Sequence, residues 1–198
     1  MLQTEFEAKF LNINIDEVRV KLKGIGAELK TPMRMMKRVT IDNGLMKSKN
    51  AFLRVRDEGD KVTLTYKQFD ELSVEGAKEI ELAVGDFDKM IALLKVVGLP
   101  HRSFQESKRE TWQFEDVEIM IDEWPWLPPY IEIESDSEDK IKDFSSLIGL
   151  DWNHAVFGDV MTAYKISYPH LGDGDTIGNL PEVRFDDPLP EMLMNNRE

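Results

Sequence analysis

Cysteine is absent from the 198 residues, which excludes disulfide frameworks, thiol nucleophiles and cysteine-based zinc sites. Basic residues are in deficit: Lys and Arg number 25 against 38 Asp and Glu, a formal charge of −13. That balance argues against nucleic acid as a partner. It leaves room for a small anion, because a local cluster can oppose the global sign. No apolar run is long enough to span a bilayer, so no membrane partner is expected. The opening residues, MLQTEFEAKF, lack the basic and apolar regions of a secretory signal. Together with the missing cysteine this makes a cytoplasmic protein the expectation. The three histidines, His101, His154 and His170, show no ligand spacing. Internal repeats and low-complexity blocks are also lacking. The hydrophobic fraction of 41% is nonetheless enough for a packed core.

The elements that remain read clearly from periodicity. Leu2–Leu11 alternates as a strand, and Asn14 is placed to cap a helix through about Leu22, stopped at Gly24 or Gly26. Met33–Asp42 reads as a strand, followed by a turn at Asn43-Gly44. Strands are expected at Phe52–Asp57, Lys61–Phe69 and Lys78–Val84, and a helix from Asp86 to about Val97. Strands follow at Gln105–Phe114, Val117–Glu123 and Tyr130–Ser135, then a helix over about Glu138–Ile148. From Pro169 the chain is rich in Pro, Gly, Asp and Asn and reads as a tail or an arm laid on the body. The fold class is therefore α+β with a mostly antiparallel sheet, with a domain over 1–168 and an arm over 169–198.

Side chains alternate sides along a strand, so parity assigns each charge to a face. Glu5, Glu7 and Lys9 share one face of the first strand, opposite Phe6, Ala8 and Phe10. Arg54 and Arg56 oppose Leu53 and Val55, and Lys67 opposes Tyr66 and Leu64. Glu79 and Glu81 oppose Ile80 and Leu82, Asp122 opposes Ile121, and Glu132 and Glu134 oppose Ile131 and Ile133. A single strand of this kind simply faces solvent. A succession of them, carrying both signs and little neutral polarity, can line a wet barrel interior with the apolar faces turned outward under helices. Arg and Lys converging from several strands suit a polyphosphate, Arg through bidentate contacts. Inward carboxylates suit Mg²⁺ or Mn²⁺, which prefer oxygen ligands.

These segments resemble one family in order and spacing. Glu5-Phe6-Glu7-Ala8-Lys9 is similar to the E-x-E-x-K signature of the CYTH superfamily, the triphosphate tunnel metalloenzymes. Leu53-Arg54-Val55-Arg56 resembles its L-R-x-R strand, and Leu64-Thr65-Tyr66-Lys67 the strand that ends in a functional lysine. Lys78-Glu79-Ile80-Glu81, Lys108-Arg109, Ile121-Asp122 and Tyr130-Ile131-Glu132-Ile133-Glu134 resemble its acidic, basic, aspartate and closing E-x-E strands. The likeness runs over about residues 2–168. It departs at Arg38 and Thr40, where the family more often has Asp and Tyr. It departs again at Glu123-Trp124-Pro125-Trp126-Leu127-Pro128-Pro129, where relatives place a Gly-rich turn. That loop reads as rigid packing, or else as a tryptophan shelf for a ring at the tunnel mouth.

The resemblance implies an eight-stranded antiparallel β-barrel tunnel, open at both ends, with helices outside. It implies that Glu5, Glu7, Asp122, Glu132 and Glu134 hold Mg²⁺ or Mn²⁺. Lys9, Arg54, Arg56, Lys67 and Arg109 are then substrate-binding, and Lys9, Lys67 and Glu81 catalytic; Arg38, where the sequence departs from the family, adds a positive charge and is read as a further substrate-binding residue. The implied activity is a metal-dependent hydrolysis of a small-molecule triphosphate: tripolyphosphate, ATP or thiamine triphosphate. The alternatives are a class IV adenylyl cyclase, making cyclic AMP and pyrophosphate from ATP, and a polyphosphate- or nucleotide-binding module without turnover. Dimers are common among relatives, and an exposed arm at 169–198 leaves room for a homodimer.

Overall fold

A computed structural model describes residues 2–70 and 73–194; the last four residues of the expected arm lie outside the described residues. The order is β1 (Gln3–Phe10), α1 (Ile15–Gly24), β2 (Glu28–Ile41), α2 (Gly44–Lys47), β3 (Ala51–Asp57), β4 (Val62–Phe69) and β5 (Ala77–Val84). Then come α3 (Phe87–Val96), β6 (Ser103–Phe114), β7 (Val117–Glu123), β8 (Tyr130–Ser135), α4 (Glu138–Leu147), α5 (Val160–Ser167) and the two-residue β9 (Glu182–Val183). The sheet runs β2-β3-β4-β5-β1-β8-β7-β6, and a β2–β6 pairing closes it into a ring of eight antiparallel strands. Helices lie outside the ring, so the fold is the expected α+β tunnel.

The local chemistry explains most boundaries. The Asn14 side chain accepts from the Asp16 and Glu17 amides to start α1, and Asp86 accepts from the Lys89 amide to start α3. Two places differ from the sequence reading. Strand β2 begins at Glu28 rather than Met33. Pro32 has no amide to donate, but the β2–β6 register shifts on either side of Thr31 and accommodates it as an irregularity. Asn43-Gly44 is not a simple hairpin turn: Asn43 caps the one-turn helix α2 through the Met46 amide. The segment 149–168, left unassigned from sequence, holds α5, capped by Asp159 on the Met161 amide.

The core lies between the ring and its helices. Ala8 and Phe10 of β1, Ile131 and Ile133 of β8, and Ile119 and Ile121 of β7 pack with Val18 and Leu22 of α1 and Ile141 and Phe144 of α4. Val39, Ile41 and Val55 pack under Phe87 and Leu94 of α3. A third cluster joins Trp124, Tyr130, Val160 and Tyr164 to Ile177, Val183 and Leu193 of the C-terminal segment. That segment adds β9 in parallel beside Phe104 and Gln105, where β6 extends past the end of β7, whose pairing stops at Lys108. No described helix is long and apolar enough to cross a membrane.

Ile133 is fully buried in the largest of these clusters. Ile133→Ala is expected to lower the unfolding free energy by about 2–5 kcal/mol, read from urea denaturation. A loss below about 1 kcal/mol would show that this cluster does not carry the fold.

Candidate functional site

All twelve residues singled out from sequence line one cavity inside the ring, of about 200 Å³. Period-2 alternation turns them inward, and the register decides which of them face one another. Three inward pairs are of opposite sign: Lys9 opposite Glu132, Lys67 opposite Glu79, and Arg109 opposite Asp122. Two places are not balanced in this way. Arg38 stands directly opposite Arg56 across β2–β3, and Arg54 lies on the same inward face. Glu134 stands opposite Glu7 on one side and Glu118 on the other. Like charges placed directly opposite one another destabilise a ladder.

The balanced pairs are tight. Lys9 Nζ lies 3.1 Å from Glu7 Oε1 and 2.9 Å from Glu132 Oε2, and donates to the Gly158 carbonyl at 2.7 Å. Lys67 Nζ donates to Glu5 at 2.9 Å and Glu7 at 3.0 Å. Arg109 grips Asp122 with both Nε (2.7 Å) and Nη2 (2.6 Å), and reaches Glu132 at 3.1 Å. Burial opposes the charge on Lys9, yet Glu132 and Glu7 outweigh it and raise its pKa. Lys67 is raised in the same way by Glu7 and Glu5. Both lysines are therefore cations at any ordinary pH. Burial likewise opposes the charge on Glu132, but Lys9 and Arg109 hold its carboxyl well below the usual range.

The basic wall is under electrostatic stress. Burial, with Arg54 and Arg56 nearby, brings Arg38 down to about 9. Burial, Arg54 and Arg109 bring Arg56 down to about 10. The Nε atoms of Arg54 and Arg56 are buried and have no hydrogen-bond partner. Such orphaned donors are costly unless an acceptor arrives. Arg38 is better held, with Nε donating to Gln105 Oε1 at 2.8 Å and its guanidinium 4.2 Å from the Trp124 ring centroid.

The acidic wall mirrors this. Glu134 forms no ion pair with a cation among the described residues. Burial and the surrounding Glu5, Glu132, Glu7 and Glu118 push its carboxyl up to about 8. Burial and a hydrogen bond with Glu5 push Glu79 up to about 7. Among the described residues no three acidic or imidazole groups already form a cation cage; Glu5 and Glu7 are drawn to Lys67, and Glu132 to Lys9. Both Asp122 oxygens are taken by Arg109, which makes that carboxylate the guanidinium's partner. Glu81 accepts from Thr65 Oγ1 at 2.8 Å and lies 3.7 Å from Arg54.

Glu79 joins the twelve at the cavity beside Glu81, as its inward parity predicts. Other groups of the site escaped the sequence reading. Asp159 and Val160 enter the cavity from the start of α5, and only the long-range fold brings them there. Glu58, 5% exposed, lies behind the basic wall at 2.8 Å from both Arg34 and Arg56. Trp124 is 5% exposed beneath Arg38, and the Trp126 indole donates to the Asp187 carbonyl at 3.1 Å. The tryptophan loop therefore packs, with Trp124 at the cavity wall under Arg38.

A family model of the CYTH domain matches residues 3–149. The chain belongs to the CYTH domain family. A Methanocaldococcus jannaschii relative, provisionally named adenylate cyclase MJ0240, is 33% identical over 89 residues, 44% of this CYTH chain. The chain spans half the length of that curated relative. A Vibrio parahaemolyticus structure, provisionally an adenylate cyclase, superposes with a TM-score of 0.68 at 14% identity, covering 80% of this chain and 96% of that one. A Hippeastrum protein, provisionally named an adenylyl cyclase and described as revealing a dominant triphosphatase activity, superposes at 0.56 and 17% identity, covering 85% and 98%. At these identities the two structures speak for the fold.

A carboxyl raised by folding favours the protonated folded state. The stability it contributes is complete below its ordinary value of 4.5 and is lost as pH rises through about 8. In metal-free protein the fall in Tm between pH 5 and 8.5 is therefore expected to be shallower in Glu134→Gln than in the parent chain. Equal slopes would remove Glu134 from the acidic cluster's electrostatics.

Proposed function

We propose that this CYTH domain hydrolyses a linear inorganic triphosphate with the help of a divalent cation. One observation carries the reading: buried guanidinium Nε donors on Arg54 and Arg56 without partners share a small cavity with Glu134, a carboxyl crowded by other acids and, among the described residues, paired with no cation. A polyanion relieves the first strain and a divalent cation the second.

Each residue then has a physical task. Arg38, Arg54, Arg56 and Arg109 clamp the phosphates, with forked donors matched to phosphate oxygens. Lys9 and Lys67, held protonated, stabilise charge that develops on the bridging and terminal oxygens. Glu81 orients Arg54, and Asp122 orients Arg109. The donor set on the acidic wall is all oxygen, which fits Mg²⁺ or Mn²⁺; Glu5, Glu7, Glu132 and Glu134 would hold it. When bound, such an ion neutralises phosphate charge and lowers the pKa of bound water. Attack of water on a terminal phosphorus, with cleavage of the P–O–P bridge, gives orthophosphate and pyrophosphate. The inorganic substrate is favoured by the lining, which is mostly charged and carries few groups that would read an organic moiety. The cyclase names of the relatives set the competing outcome, cyclic AMP and pyrophosphate from ATP.

The deciding measurement is a product assay with tripolyphosphate, ATP and thiamine triphosphate, each with Mg²⁺ and Mn²⁺. Orthophosphate from tripolyphosphate is expected, and its loss by at least about a hundredfold in Glu7→Gln. Cyclic AMP from ATP would replace this reading with the cyclase, and near-normal turnover in Glu7→Gln would refute the acidic wall's role. Arg54→Ala is expected to weaken tripolyphosphate binding about tenfold or more, and orthophosphate binding less. Equal losses for both anions in calorimetry would count against a clamp. Mg²⁺ is expected to raise the Tm of metal-free protein more at pH 8.5 than at pH 6, because ligating carboxyls must first shed their protons. No shift at either pH would argue against a cation on this wall.

A further inference from the structure

Arg38 has two partners, Gln105 and Trp124, and both also meet parts of the chain outside the matched family region, although Gln105 stands opposite Arg38 in the β2–β6 ladder as well. Its Nε donates to Gln105 Oε1. Gln105 sits on the stretch of β6 that pairs with β9 in the C-terminal segment, facing Val183, while the neighbouring Phe104 amide donates to the Pro181 carbonyl at 2.9 Å. The guanidinium also stacks on Trp124 at 4.2 Å. The loop that follows Trp124 does not hold its shape alone. Trp126 has a φ of 62°, a left-handed conformation that bulky residues rarely adopt. It is pinned by its indole on the Asp187 carbonyl and by Tyr168, whose hydroxyl donates to the Trp126 carbonyl. Tyr164 donates to the adjacent Pro125 carbonyl at 2.6 Å. Trp124 itself packs with Ile177, Val183 and Leu193.

We infer that α5 and the C-terminal segment form a clamp that positions Arg38 for phosphate. Trp124, Trp126 and Gln105 are on this account positioning residues, and substrate affinity is partly written beyond residue 149. The inference rests on the proposed triphosphate site. Its physical basis is pre-organisation: Arg38 is crowded by Arg54 and Arg56 and would swing away from them, and the indole face and amide oxygen hold it in the cavity before an anion binds.

The experiment measures inorganic tripolyphosphate binding by calorimetry, with KM and kcat beside it, on the full chain. Trp124→Leu is expected to weaken binding about tenfold, and Trp124→Phe, which keeps an aromatic face, about twofold. Gln105→Met and Trp126→Phe are each expected to weaken it about threefold, with KM rising in step and kcat little changed. In an Arg38→Met background the Trp124→Leu and Gln105→Met losses are expected to vanish, because these residues act through Arg38. Losses that persist there would make the clamp a general support of the fold and overturn the inference. Should Trp124→Leu fail to fold, Gln105→Met decides by the same cycle. Parent protein that binds tripolyphosphate, with variants that bind equally well, overturns the inference alone. Parent protein that binds none overturns the proposed function as well.

Discussion

The structure depends on one constraint: a closed ring of eight strands has an inside, and strict alternation must fill it with whatever the polar parity carries. Here that parity carries ionised groups on nearly every strand. In an open sheet they would face water at little cost. Closed into a cavity of about 200 Å³, they must find partners within it or strain the fold. Three cross-strand pairs solve the problem locally. The Arg38–Arg56 and Glu7–Glu134–Glu118 juxtapositions do not, and two unbalanced walls of opposite sign are the result.

Stability therefore has to come from elsewhere. The apolar faces of β1, β7 and β8 meet α1 and α4, and those of β2 and β3 meet α3. This is a barrel packed on its outer side, with its hydrophobic core surrounding the site. Such an arrangement lets the lumen hold electrostatic strain, because the unfavourable contacts and the favourable burial lie on opposite faces of the same strands. It also explains why the third cluster differs from the other two. Trp124, Tyr130 and Val160 belong both to the cavity lining and to the apolar packing of the C-terminal segment. There, packing and site are coupled directly, and Arg38 lies on that seam.

Legibility in the sequence followed the range of the interactions involved. Eight strands and three of the helices came from periodicity and capping residues, which act over a few positions. Eleven of the twelve charged residues came from parity together with motif order, and Arg38 from its departure from the motif. Strand β2 was read short because Pro32 is a local stop signal, overridden by a register shift against β6. Helix α5 and β9 were missed because they are short and are stabilised by tertiary packing rather than by a periodic pattern of their own. Glu58 and Asp159 were missed for a related reason. Each sits at an element end, where alternation says nothing about direction.

By itself the sequence determined the chemical inventory: no thiol and no disulfide, and inward faces carrying both acids and bases. It also determined the order of strands, because alternation and turn residues are local properties. Only the tertiary structure decided which charges meet. Pairing register set Lys9 against Glu132 and Arg38 against Arg56, and ring closure turned solvent-like faces into a lumen. It also decided that Trp124 lies under a guanidinium at the cavity wall. Those outcomes depend on contacts between residues far apart in the chain, such as Arg38 with Gln105 and Trp126 with Asp187, and no local pattern encodes them.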